Sequence, residues 1–342
     1  MGERAAGTEG RVTPEPDTQV KVLSIVGAGR SGTTVLASIL GEIEGFTSAG
    51  ELRWLWERGV VEGRPCACGA VPRSCPVWSP VLARVQAEVG TAMTIEEIVA
   101  AQHQLARWRQ LPRLLRSVDG GDTDEDSAAP SWPALQLVRR AIGAAFTALA
   151  DVTGARVVVD TSKRPIDTAV LAGVPGVDLY VLHLLRDPRA VVHSWRRAKT
   201  YTVAGQTGTM GTRGLPATVR RWTTNSLTAE ALRRRLPESR WLSMRYEDFA
   251  AHPRRAVETI MGLLQEPGEP PFLDDHTVAL GPNHIVMGNP SRFTTGPVAI
   301  RSDQEWRQAM PGRERLLVAA MTAPLALRYG YLRIVPPRRR AR

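Results

Sequence analysis

Near the start of the chain a glycine-rich turn joins an apolar run to a helical one. Val22 to Val26 is almost wholly aliphatic and reads as a buried parallel strand. Gly27 and Gly29 end it, and Arg30-Ser31-Gly32-Thr33-Thr34 leads into Val35–Leu40, which has helical periodicity. A strand, a glycine loop and a helix N-terminus make an anion site, because free amides and the positive end of the helix dipole face one point. The same kinds of side chain recur elsewhere. Ser162 and Lys163 follow the Val157–Val159 run, and Arg186 follows a run ending at Leu185, with Ser194 eight residues later. Two separated anion sites suggest a ligand phosphorylated at two places. Any one of these residues alone is accounted for as a solvated helix end; their recurrence at successive strand ends is what carries the reading.

The first loop nearly matches the nucleotide-binding pattern G-x-x-x-x-G-K-[ST]. Gly27 and Gly32 have its spacing and Thr34 takes its hydroxyl position, but Thr33 stands where the lysine belongs. That lysine reaches the β- and γ-phosphates in kinases and ATPases. Here the nearby charge is Arg30, so the loop suits an anion better than ATP hydrolysis. An ordinary glycine-rich strand–helix turn is the alternative.

These groups need a scaffold that brings strand ends to one rim. Strands are expected at 22–26, 156–160, 178–185 and 241–245, alternating with helices. Asp187-Pro188 supplies a cap and first-turn proline for one of them. The pattern predicts an α/β fold, a P-loop-type parallel β-sheet flanked by helices, with ligands at the carboxyl ends of the strands. Residues 45–56 read as a short strand or turn entering an aromatic-rich helix, and helices over 81–153 form an insertion after the first βα unit. The expected organisation is a tail over 1–20, one domain over 21–333 and a basic tail over 334–342. Within the domain, 54–153 is the insertion and 118–131 a flexible connection.

The chain has 342 residues, 44 Lys plus Arg against 34 Asp plus Glu, and a net charge of +10. Lysine occurs only at Lys21, Lys163 and Lys199, which singles out a lysine at a strand end. The balance fits an anionic substrate or nucleic acid, but basic and aromatic residues do not interleave as a nucleic-acid face would require. No apolar run approaches the roughly 20 residues of a membrane span. The polar N-terminus lacks a signal-peptide core, so a cytoplasmic protein is expected. Arginine, alanine, glycine and valine abundance suggests a GC-rich bacterial genome. Cys66, Cys68 and Cys75 lie close together without a neighbouring His or fourth Cys. A tight turn with reduced thiols is the favoured reading; zinc with a fourth ligand from elsewhere is the alternative.

From Val22 onward, least clearly in the insertion, the sequence resembles the sulfotransferases that use 3′-phosphoadenosine 5′-phosphosulfate (PAPS). Arg30-Ser31-Gly32-Thr33-Thr34 matches the family's 5′-phosphosulfate loop, and Arg186 with Ser194 matches its 3′-phosphate pair. The nearest likeness is to the tyrosylprotein sulfotransferases and their bacterial relatives. The resemblance implies that Glu51, 21 residues after Arg30, is the catalytic base. It implies that Lys163 contacts the sulfonate, that Tyr246 lies against the adenosine, and that Ser291 and Arg292 belong to a closing segment. Gly29 joins the loop residues as a cosubstrate contact.

The implied reaction is in-line transfer of a sulfonate to an acceptor hydroxyl. Glu51 takes the proton, Lys163 and Arg30 stabilise growing charge, and no metal is required. The expected partner is a small-molecule, natural-product or glycan acceptor, with no specific nucleic acid. Peptidyl tyrosine as acceptor and a P-loop kinase are the alternatives. Trp54 and Trp56 are candidate acceptor contacts.

Overall fold

The aliphatic run becomes β1 (Val20–Gly27), which passes through the glycine turn into α1 (Thr33–Leu40) and then β2 (Phe46–Gly50). The computed structural model describes residues 19–90, 93–118, 132–203 and 206–332. The connection expected at 118–131 lies outside them except for Val118, and so do the basic tail and residues 1–18 of the N-terminal tail.

After β2 come a 3-10 turn, Leu52–Trp54, and a π-helical stretch, Leu55–Val61. The helical segment contains α2 (Trp78–Val89), α3 (Ile95–Leu105), α4 (Leu111–Val118) and α5 (Pro133–Thr153). The alternating part resumes with β3 (Val157–Lys163), α6 (Pro165–Leu171), β4 (Val177–Leu185) and α7 (Pro188–Arg196). A hairpin of β5 (Lys199–Val203) and β6 (Gln206–Met210) precedes α8 (Leu215–Arg233). Then follow β7 (Trp241–Arg245), α9 (Tyr246–Ala251) and α10 (Pro253–Leu264). The last elements are the paired β8 (Thr277–Leu280) and β9 (Gly296–Ala299), α11 (Trp306–Ala309) and α12 (Gly312–Arg328).

The central sheet has five strands in the order β2-β3-β1-β4-β7, all parallel. The expected α/β class holds. One detail differs: β2 is a full member of the sheet, so the helical segment enters between β2 and β3 rather than directly after α1. The strands are buried on both sides, as parallel strands require. Val22, Val26, Val158 and Val181 pack toward Phe146 of α5, while Leu23, Ile25, Val159 and Leu182 pack toward Leu36 of α1 and Ile260 of α10.

Candidate active site

The first strand end is built by backbone constraint. Arg30 has φ 73° and Gly32 has φ 81°. A Cβ on Gly32 would sit 2.9 Å from the Tyr246 ring, so both conformation and space call for glycine there. The Ser31 hydroxyl is buried without a hydrogen-bond partner, and Thr33 and Thr34 are buried beside it. A buried unsatisfied hydroxyl costs roughly 1–3 kcal/mol, a cost that an oxyanion in the loop would relieve. Gly29 O accepts from Trp195 Nε1 at 3.1 Å, and the Arg30 guanidinium lies over the same Trp195 ring, 4.9 Å from its centre.

The second strand end carries Lys163. Between Asp160 and Lys163, β3 contains one more residue than β1 opposite it, a bulge that turns the strand just before the lysine. Lys163 then adopts φ 69°. A left-handed non-glycine residue costs on the order of 1–3 kcal/mol. Each buried valine or leucine of the neighbouring sheet returns roughly 1.5–3 kcal/mol, so the core can hold both Arg30 and Lys163 in this region. The ammonium so aimed donates to Glu51 Oε1, and each of the two side chains is 15% exposed.

Glu51 is itself fixed by its neighbours. Asp160 accepts from Leu52 N at 3.2 Å and from Ser162 Oγ at 2.7 Å, and Ser162 Oγ accepts from Arg53 N at 3.2 Å. The first amides of the turn after Glu51 are therefore held by β3. Burial pushes the Asp160 carboxyl up to about 6. Its other oxygen accepts from Ser162 N at 3.2 Å. The acid that a magnesium-dependent kinase would need after a strand is thus buried as a structural acceptor.

The third strand end carries Arg186, which is buried. Its backbone is clamped on both sides. Trp222 Nε1 donates to Arg186 O at 3.1 Å, and Asp187 N donates to Glu247 Oε1 at 3.1 Å. The guanidinium stacks on Tyr246 at 4.3 Å, donates to Arg30 O, and donates to Asp303 Oδ2 at 3.0 Å. Asp187 caps α7 as expected, accepting from Arg189 N, and Ser194 lies buried two turns into that helix.

The segment 281–293 forms a strap over the rim. Glu51 N donates to Val286 O at 2.9 Å, Val286 N donates to Ala49 O at 3.1 Å, and Asn289 N donates to Thr34 Oγ1 at 3.3 Å. A side chain on Gly288 would begin 3.4 Å from Thr34 Oγ1 and 3.6 Å from Glu51 Oε1, so loop and carboxylate flank one point. Ser291 N donates to Asn289 Oδ1 at 3.1 Å. Arg292 is buried in the strap, donating to Gly288 O at 3.2 Å and Pro65 O at 3.4 Å.

The structure thus gathers Arg30, Ser31, Gly32, Thr34, Glu51, Lys163, Arg186 and Tyr246 at one rim. Trp56 does not face an acceptor: it is 1% exposed and belongs to the core. Trp54 is stacked against Arg53 at 4.5 Å and Arg58 at 3.8 Å. Sequence reasoning missed Asp303, and missed Met210, whose sulfur accepts from Arg30 Nη1 at 2.9 Å. Neither has a motif; each arrives by tertiary packing. The fourth neighbour of the cysteines also escaped it. It is His284, 209 residues from Cys75 and 3.2 Å from its sulfur.

A glycine loop, a guanidinium-bearing strand end and a carboxylate–ammonium pair thus meet on one rim of a parallel α/β sheet. The family model described as "Sulfotransferase family" matches residues 23–270, and the chain belongs to that family. Among solved structures it is similar to the sulfotransferase domain from the curacin biosynthetic pathway, at 15% identity over 89% of this chain and 98% of that one, with a TM-score of 0.47. It is also similar to the sulfotransferase domain of the Synechococcus PCC 7002 olefin synthase, at 18% identity over 94% and 98%, with a TM-score of 0.46. Sulfotransferase STF9 from Mycobacterium avium matches at 16% identity over 72% of this chain and 64% of that one, with a TM-score of 0.38. No curated protein sequence matches the chain. Among the described residues no helix is long and apolar enough to cross a membrane.

Proposed function

We propose that this sulfotransferase moves the sulfonate of PAPS to an acceptor hydroxyl, with Glu51 as general base. The observation that carries this reading is the meeting of loop and carboxylate at Gly288, 3.4 Å from Thr34 Oγ1 and 3.6 Å from Glu51 Oε1. In this reading Gly29, the loop amides and the hydroxyls of Ser31, Thr33 and Thr34 receive the 5′-phosphate. The unpartnered Ser31 hydroxyl and the glycine cradle at Gly32 support that fit. Arg186 and Ser194 receive the 3′-phosphate and Tyr246 the adenosine, while Ser291 and Arg292 belong to the strap that closes the rim.

Glu51 takes the proton of the acceptor oxygen as that oxygen attacks sulfur. The S–O bond to the phosphate breaks in line, and the electron pair leaves on the bridging oxygen. Lys163 and Arg30 stabilise that growing charge. In the resting site Lys163 is paired with Glu51; arrival of the donor gives the ammonium a competing anion and frees the carboxylate to act.

The insertion over 54–153 acts as the acceptor wall of a single catalytic domain over 21–333. The acceptor in this reading is the hydroxyl of a small molecule, natural product or glycan. The test of the donor assignment is thermal stability with 3′-phosphoadenosine 5′-phosphate, ATP and AMP. The bisphosphate raises the melting temperature with concentration, and more than the other two do. A folded protein that ignores the bisphosphate would overturn the donor assignment.

A further inference from the structure

We propose that Cys66, Cys68, Cys75 and His284 bind a structural zinc ion that fastens the strap to the helical insertion. Their ligand atoms all lie within 4.8 Å of one another. Cys68 Sγ is 3.7 Å and Cys66 Sγ 3.9 Å from Cys75 Sγ, and Cys75 Sγ is 3.2 Å from His284 Nδ1. Zinc–sulfur bonds of about 2.3 Å in tetrahedral array place two sulfurs about 3.8 Å apart. A disulfide would need about 2.05 Å, and all three cysteines are free.

The backbone around the sulfurs is shaped for a ligand. Cys66 N donates to Ala70 O and Gly69 N donates to Cys66 O, both at 2.9 Å, and Gly69 takes φ 89°. This tight knuckle turns the Cys66 and Cys68 side chains toward Cys75. The strap is drawn in beside it: Ala67 N donates to Ile285 O at 3.0 Å, and Trp78 Nε1 donates to His284 O at 2.6 Å.

Three sulfurs and one imidazole fill four positions, so the site is closed, as structural zinc sites are. On binding, each thiol gives its proton to solvent and becomes a thiolate. His284 ligates through the Nδ1 lone pair and keeps its ring proton on Nε2. No oxidant or reductant takes part. The site stands apart from the transfer chemistry, and no step of that chemistry runs through the metal. Its effect there is indirect. His284 lies two residues before Val286, which holds the Glu51 amide, and Cys66 follows Pro65, which accepts from Arg292.

The test is metal analysis of the intact chain, produced in zinc-replete medium with an affinity tag that binds no metal. The parent protein should carry stoichiometric zinc and melt at a lower temperature after chelation. Its cobalt-loaded form should show the intense visible bands of tetrahedral thiolate coordination. Cys68→Ser removes the exposed ligand with least damage to packing, and His284→Ala removes the strap's ligand. Each should lose zinc to a chromophoric chelator that leaves the parent loaded. Zinc retained stoichiometrically in both variants would overturn the proposal. So would a parent protein that binds neither zinc nor cobalt, or that contains a disulfide or an iron–sulfur chromophore instead. If a variant is insoluble, the cobalt spectrum of the parent decides.

Discussion

Lys163 donates to Glu51 across two neighbouring strands, β3 and β2, which bring the groups together from 112 residues apart. Both side chains are partly shielded from water. In the proposed mechanism the pair holds the carboxylate in place until the anionic donor draws the lysine away.

Glu51→Gln preserves the shape and removes the base. Turnover should fall by roughly 10²–10⁴, while affinity for the 3′,5′-bisphosphate is retained, because the proposed phosphate contacts lie elsewhere. Lys163→Met should lower turnover and also weaken protection by the sulfonated donor. Unchanged turnover in Glu51→Gln would remove the carboxylate from catalysis.

Asp303 pairs with the guanidinium to which the proposed function assigns the 3′-phosphate. Its Oδ2 is 3.0 Å from Arg186 Nη2, and its side chain is 36% exposed. Such a half-open pair is weak, worth up to about 1 kcal/mol. Asp303→Asn should therefore tighten bisphosphate binding by up to about fivefold, read by calorimetry. Weaker or unaltered binding would show that Asp303 does not stand in the phosphate's place.

Asp160 ties stability to pH. Its folded pKa of about 6 lies above the ordinary 3.8, because burial disfavours the carboxylate. The folded state therefore holds the proton more tightly between those values. Asp160 stabilises the protein fully below pH 3.8 and loses that contribution as pH rises through 6, roughly 3 kcal/mol in all. Relative to Asp160→Asn, the parent should gain melting temperature as pH falls from 7 to 4. Parallel curves for the two proteins would show that Asp160 is not the group titrating. His183 works the other way over almost the same range. Buried against Trp241 and Tyr329, its imidazole is held down to about 4, so its contribution is present above pH 6.5 and lost as pH falls through 4. The two nearly cancel in the parent, and single substitutions are what reveal either.

The parallel sheet was readable because its strands are aliphatic runs ending in polar clusters: Val22–Val26, Val157–Val159 and the stretch up to Leu185. Asp187-Pro188 announced α7 through local chemistry alone. The hairpins β5–β6 and β8–β9 gave no such signal, being short and partly polar. The π-helical turn after Glu51 also looked like an ordinary helix, since its width follows from packing rather than pattern. Candidate site residues at strand ends could be named in advance because strand ends are predictable. His284 and Asp303 could not be, since each meets its partner across more than 100 residues. The bulge before Lys163 leaves no mark in composition.

The strap's pairing with Ala49 and Glu51 has a consequence for solubility. β2 is the outermost strand, and without Val286 its free amides and carbonyls would line an open sheet edge, a template for pairing with another chain. The strap is therefore also the cover that keeps this part of the edge from nucleating aggregation.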